Sequence, residues 1–208
     1  MSDAPFSSPD SPVVQEAPAA RKRPKPGERR VQILQALATM LEQPGAERIT
    51  TAALAARLEV SEAALYRHFA SKAQMFEGLI EFIEQSVFSL VNQIAERESA
   101  GAVQAAKTVA MLLQFAEKNP GMTRVMVGDA LVYENERLQQ RMNLFFDKIE
   151  SALKQGLRDD ASATPSVDAQ VQASMLTAFV VGRLQRFARS GFKRLPSEHL
   201  EASLALML

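Results

Sequence analysis

Apolar residues fall at helical spacing along almost the whole chain. From Glu28 onward, Val31, Leu34, Ala38 and Leu41 recur at intervals of three and four, with Ile33 and Leu37 beside them, which predicts an amphipathic helix. Gln43-Pro44-Gly45 stops that helix. A second helix follows Thr50 or Thr51, either of which can cap it through a side-chain oxygen, and Leu54, Ala55 and Leu58 form its apolar side. A third begins after Ser61, with Glu62 well placed against the helix dipole. A fourth begins after Ser71, where Gln74 completes the spacing of a capping box, and runs to about Glu98.

The remaining pattern predicts helices near 101 to 118, 120 to 132, 134 to 157, 167 to 191 and 197 to 208. Asn119-Pro120-Gly121, the polar stretch Asp159 to Ser166, and Leu195-Pro196-Ser197 supply breaks. Neither strand alternation nor an internal repeat of 20 to 50 residues is evident, so the fold class is all-α. On the fourth helix Phe76, Leu79, Ile80, Ile83, Val87, Leu90, Val91 and Ile94 make one core stripe. Phe82 lies more than a quarter turn off its centre, on a side with Met75 and Ser86, and is either a protein-contact residue or covered by a neighbouring helix.

Charge divides the chain into three parts. Residues 1 to 20 hold three acids and no base, residues 21 to 72 hold ten Lys and Arg against five acids, and residues 73 to 208 hold 14 bases against 16 acids. The net charge of zero therefore hides a basic segment joined to a slightly acidic body, the footprint of a phosphate-binding module on a separate domain. Six of the ten prolines precede residue 27, so residues 1–27 are expected to form a disordered arm. Its end, Arg21-Lys22-Arg23-Pro24-Lys25, either tracks DNA or merely solubilises. Residues 28–72 read as a DNA-binding domain and 73–208 as a helical dimerisation and partner domain.

Thr51 to Phe69 has the spacing of a helix-turn-helix, with Leu54, Leu58, Val60 and Leu65 facing inward and Ala55 small where the helices cross. Glu59 stands where many such turns place glycine to allow a positive φ, so strain or another turn is expected there. If the third helix enters the major groove, Ser61, Glu62, Ala63 and Ala64 lie nearest base edges. Thr50, Thr51, Tyr66, His68 and Lys72 are expected to position the duplex through phosphates, and Arg48 joins the DNA-contact candidates. Arg67, the one long bidentate donor on the helix, is the candidate for guanine.

Leu65-Tyr66-Arg67-His68-Phe69-Ala70-Ser71-Lys72 resembles the TetR family of bacterial DNA-binding proteins. Three segments are similar, more narrowly, to that family's nucleoid occlusion branch: Ser61 to Phe69, Leu79-Ile80-Glu81-Phe82-Ile83-Glu84, and Asn119-Pro120-Gly121-Met122-Thr123-Arg124 continuing through Gly128 to Arg137-Leu138-Gln139. The resemblance covers roughly residues 28 to 195 and implies a homodimer on palindromic double-stranded DNA sites that engages the division protein FtsZ while DNA-bound. It implies an FtsZ surface along the fourth and fifth helices, where Phe82 and Asn119 match assigned positions and Lys118 replaces a typical Arg. Leu90, Met111 and Gln114 depart from the residues expected nearby. The late helix carries Val171, Met175, Ala178, Phe179, Gly182, Arg183, Arg186 and Phe187, small residues among large ones. With the last helix it can form a two-fold four-helix interface, as the resemblance implies, or an ordinary intramolecular core; the interface candidates are Met175, Ala178, Phe179, Gly182, Arg183 and Phe187.

Other chemistry is weakly signalled. Cysteine is absent, and His68 and His199 are the only histidines, so no metal site or cofactor is expected. Carboxylate pairs such as Asp159-Asp160 and Glu134-Glu136 lie in polar stretches, no nucleophile triad or phosphate-cradling glycine pattern occurs, and an enzyme is not expected. The start lacks a secretory signal and no run of 18 apolar residues occurs, so a cytoplasmic, nucleoid-associated protein is expected. A ligand-responsive repressor and an architectural DNA protein remain alternatives.

Overall fold

A computed structural model describes residues 27–43, 48–158 and 168–208. The described residues form helices α1 (Glu28–Leu41), α2 (Thr51–Arg57), α3 (Glu62–Tyr66), α4 (Lys72–Arg97), α5 (Gly101–Lys118), α6 (Pro120–Met126), α7 (Glu136–Arg158), α8 (Ala169–Arg189) and α9 (Leu200–Met207), with a 3₁₀ turn at Asp129–Leu131 and no strand. The proline-rich arm, Pro44-Gly45 and the Asp159 to Ser166 break lie outside the described residues.

Short-range chemistry sets most helix starts. Thr50, Ser61 and Ser71 each accept a hydrogen bond from the backbone N–H three residues on, at 3.1, 3.3 and 3.2 Å. These bonds satisfy amide donors that a helix's first turn leaves without partners. Gln74 completes the box at α4, although its Oε1 accepts from Ala70 N–H at 2.8 Å, one residue before the cap. Asp168 caps α8 by accepting from Gln170 N–H at 2.9 Å, so that helix starts at Ala169 rather than 167.

Two expected helices change their bounds and two change their buried stripes. The helix expected over 120 to 132 ends at Met126, because Gly128 adopts φ +85° and turns the chain into the 3₁₀ segment. The last helix begins at Leu200 instead of 197, since Glu117 of α5 holds Ser197, accepting from its N–H at 2.9 Å and its hydroxyl at 2.5 Å. On α1 the buried stripe is Ile33, Leu37, Ala38 and Leu41, while Val31 is exposed. On α4 the stripe holds except that Leu90 is exposed, Ile94 is half-buried and Met75 is buried. Both differences have one cause: alternating steps of three and four fit two adjacent stripes, and only the neighbouring helices choose between them.

Helix α4 belongs to both units. Its first turns share the α1–α3 core, where Leu54, Leu65, Phe69, Phe76 and Leu79 are buried together, and the remainder forms the body with α5, α7 and α8. In the body Val87, Val109, Leu112, Leu113, Phe145, Ile149, Leu176, Val180 and Leu184 are fully buried, with Phe145 edge-to-face between Phe88 and Phe146. Full burial of each such side chain stabilises the fold by about 1.5–3 kcal/mol before entropy is counted. The units also meet where α6 crosses α1. An added Cβ at Gly121 would lie 1.9 Å from the Ala38 carbonyl oxygen, so only glycine permits that approach.

Candidate nucleic-acid interface

The turn between α2 and α3 is a Schellman closure. Val60 N–H donates to Ala55 carbonyl at 3.0 Å and Glu59 N–H to Ala56 carbonyl at 3.1 Å. This closure needs a left-handed residue, and Glu59 supplies it at φ +54°. The glycine-like position is therefore real and is occupied by a residue that strains it. Leu58 and Val60 pack half-buried against the core, while Leu54, Ala55 and Leu65 are buried, as the inward assignments require.

This arrangement leaves one side of α3 outward. Ser61, Glu62, Ala63, Tyr66, Arg67 and His68 are exposed, and Ala64 is half-buried. Thr51 donates its hydroxyl to Glu62 Oε2, tying the starts of α2 and α3. The far end of α3 is held from α1, where Arg30 donates to the His68 carbonyl at 2.7 Å and lies 4.1 Å from the Phe69 ring centroid. Arg30 is a positioning residue that the sequence did not single out, because nothing local separates it from Arg29. Two expected DNA-contact residues are engaged by the body: Lys72 pairs with Glu134, and the Arg48 guanidinium lies over the Tyr133 ring.

The expected partner residues lie along α4 and α5. Phe82 is 48% exposed, an unusual placement for a phenylalanine on a helix whose other face is core. Lys118 is exposed at the end of α5. Asn119 is half-buried and donates Nδ2–H to the Phe115 carbonyl at 2.8 Å, closing α5 where Pro120 opens α6. On another side of α4 from Phe82, Glu84 binds Arg141 of α7 at 2.5 Å; that hydrogen bond holds the guanidinium pKa above its ordinary value against the opposing effect of burial.

A second apolar face is made by α8 and α9. Val171, Met175 and Ala178 are exposed, Phe179 is half-buried beneath Arg183, and a Cβ at Gly182 would meet open space. No residue of α9 is buried, and Leu206 is 89% exposed. Phe187 differs from the other residues expected at an interface: it is 2% exposed, packs edge-to-face on Phe192 at 5.1 Å, and belongs to the protomer's own core. No helix of the described residues is long and apolar enough to cross a membrane.

Known proteins extend this picture. A family model described as "Bacterial regulatory proteins, tetR family" matches residues 33–79, and an SlmA-like model described as "Tetracyclin repressor-like, C-terminal domain" matches residues 101–208. The chain is 51% identical over 182 residues to the nucleoid occlusion factor SlmA of Idiomarina loihiensis, covering 86% of this chain and 93% of that protein. It is also 51% identical over 189 residues to the SlmA of Aliivibrio fischeri strain ES114, covering 88% and 96%. The fold resembles the TetR-family regulator PfmR from Thermus thermophilus, with TM-score 0.72, 19% identity, and coverage of 85% of this chain and 97% of that one. With the helix-turn-helix matched by one model, the body from α5 onward by another, and half of all aligned residues shared with these relatives, the protein belongs to the TetR family and, within it, to the SlmA-type nucleoid occlusion factors.

Proposed function

We propose that this protein is a DNA-associated inhibitor of cell division. A homodimer binds palindromic chromosomal sites through two copies of the α2–α3 unit and, while DNA-bound, antagonises assembly of the FtsZ ring over the nucleoid. Within each copy Ser61, Glu62, Ala63 and Ala64 face base edges, Arg67 reads guanine, and Thr50, Thr51, Tyr66 and His68 fix the register on phosphates. Phe82, Lys118 and Asn119 meet FtsZ, and the α8–α9 face holds the two protomers together.

The observation that carries this reading is the likeness to nucleoid occlusion factors through the α4–α5 body as well as the helix-turn-helix, together with an exposed Phe82 on that body. A ligand-gated repressor would need a cavity in the body. Among the described residues the middle of the body is filled by fully buried side chains such as Leu112, Phe145 and Val180, and the cleft that opens between α4, α5 and α7 beside Ile94, Gln104 and Leu153, about 280 Å³, falls below the roughly 300–1,000 Å³ of ordinary ligand sites.

The test is sedimentation of FtsZ polymers with purified protein, in the presence of fragmented chromosomal DNA that it selects or of an equal mass of DNA that it does not. Loss of polymer only with selected DNA is the expected result. A DNA-independent effect, or none, would remove the division role and leave the family assignment standing.

A further inference from the structure

One short segment of the body reaches both cations that flank the helix-turn-helix. Arg48 precedes α2, and Lys72 is the first residue of α4, just beyond the reading helix. Residues 132–135 connect the 3₁₀ turn to α7. Lys72 Nζ stands 2.5 Å from Glu134 Oε1, with the glutamate side chain only 8% exposed and the lysine 29%. The Arg48 guanidinium lies 4.5 Å from the ring centroid of Tyr133, the next residue back.

The segment is firmly held. Glu134 N–H donates to the Leu131 carbonyl at 3.0 Å, and Arg137 N–H to Asn135 Oδ1 at 3.0 Å. The first turns of α7 are pinned to α4 by Arg137 with Glu77 and by Arg141 with Glu84. A carboxylate so placed acts on any phosphate approaching Lys72 in two ways: it competes for the ammonium donors, and its own charge repels the phosphate. Moving Lys72 away leaves a nearly buried carboxylate without its cation, a state that costs free energy unless the segment moves too.

We propose that Tyr133 and Glu134 form a counter-surface that holds Arg48 and Lys72 against the pull of DNA phosphates, so that full seating of the duplex requires Glu134 to release Lys72. The inference rests on the DNA-binding reading and goes beyond it, because DNA affinity becomes a property of the body as well as of the helix-turn-helix.

The experiment is a titration of the full-length protein with a short fluorescent duplex of random sequence, between about 50 and 200 mM salt. Glu134→Gln keeps the shape and removes the charge. It is expected to tighten binding about fivefold at the low-salt end. The log-log salt slope should steepen by up to ~0.9, the equivalent of one more neutralised phosphate. Lys72→Met in the Glu134→Gln background should erase the whole gain in affinity and in slope. Should the glutamine variant melt early, Tyr133→Ala tests the same surface from an exposed position and is expected to tighten binding about twofold through Arg48. Natural protein that binds duplex while folded Glu134→Gln binds no tighter, with an unchanged slope, overturns the inference alone. Natural protein that binds no duplex at any salt overturns the DNA-binding reading and this inference with it.

Discussion

The hydroxyl of Thr51 donates to Glu62 Oε2 at 2.6 Å, so the first turns of the two helices of the DNA-reading motif are joined by a side-chain bond. The bond fixes the rotamer of an acid at the N-terminal end of α3, the end proposed to face the groove. A carboxylate held there can accept from a cytosine amino group, and it repels phosphates wherever that partner is missing. Glu62→Gln is therefore expected to raise affinity for random duplex while lowering the preference for a selected site about tenfold. Competition between selected and scrambled duplexes measures the ratio; an unchanged preference would show that Glu62 only braces Thr51.

Glu59 is the one strained residue of the motif, at φ +54° in a Schellman turn. Replacing it with glycine removes a left-handed penalty of roughly 1–2 kcal/mol, partly offset by the greater freedom of glycine in the unfolded chain. Glu59→Gly should thus stabilise the protein by about 0.5–1 kcal/mol and raise the melting temperature by a few degrees. A lower melting temperature would mean that the glutamate's own contacts outweigh the strain.

What the sequence made legible was local. The caps at Thr50, Ser61 and Ser71, the left-handed demand at Glu59 and the off-stripe position of Phe82 all depend on residues within a turn or two, and spacing alone exposes them. The bonds that assemble the site join residues far apart in the chain, such as Arg30 to His68, Lys72 to Glu134 and Glu117 to Ser197, and no periodic pattern announces such pairs. Arg48 and Lys72 were recognisable as cations near DNA, but their engagement by the body was not. On α1 Ala38 and Leu41 are buried as their spacing predicts, while Ile33 and Leu37 take the places expected of Val31 and Leu34, because both pairs fit helical spacing.

Gly121 is where the DNA-reading unit leans on the body. A methyl group there would meet the backbone carbonyl of Ala38 at 1.9 Å, and backbone cannot yield as a flexible side chain does. Gly121→Ala is expected to cost about 1–3 kcal/mol and to shift α1 relative to α6, weakening DNA binding along with stability. Thermal unfolding and duplex titration of the same preparation would reveal both; a variant as stable as the natural protein would show that α6 can slide.

Phe82 separates folding from partner binding because its ring is half in solvent. Truncation to alanine should change stability by no more than about 0.5 kcal/mol, the ordinary range for exposed positions. Duplex affinity should stay constant, while capture of FtsZ in the presence of DNA falls by about tenfold or more, as for an aromatic anchor at an interface. If DNA binding and partner capture fell together, the residue would belong to the fold and not to the contact.

The α8–α9 face offers a cleaner separation still, because its apolar residues support little within a single protomer. Met175 is 52% exposed and Leu206 on α9 is almost bare, so a carboxylate at 175 meets water in the isolated chain. Monomer stability should therefore move by only about 0.5 kcal/mol. In a two-fold dimer each substitution appears twice, and two unpaired charges are buried or must be kept hydrated by opening the interface. Even a penalty of about 1.4 kcal/mol per copy weakens the dimer about a hundredfold. Met175→Glu should thus sediment as a monomer at concentrations where the natural protein is a dimer. Its duplex binding should lose the advantage of two half-sites read together, which is gained only while one protein spans both. Gly182→Leu, which adds bulk where the protomer leaves open space, should give the same two effects with no change of charge. Dimers that persist in both variants would place the two-fold axis on some other surface.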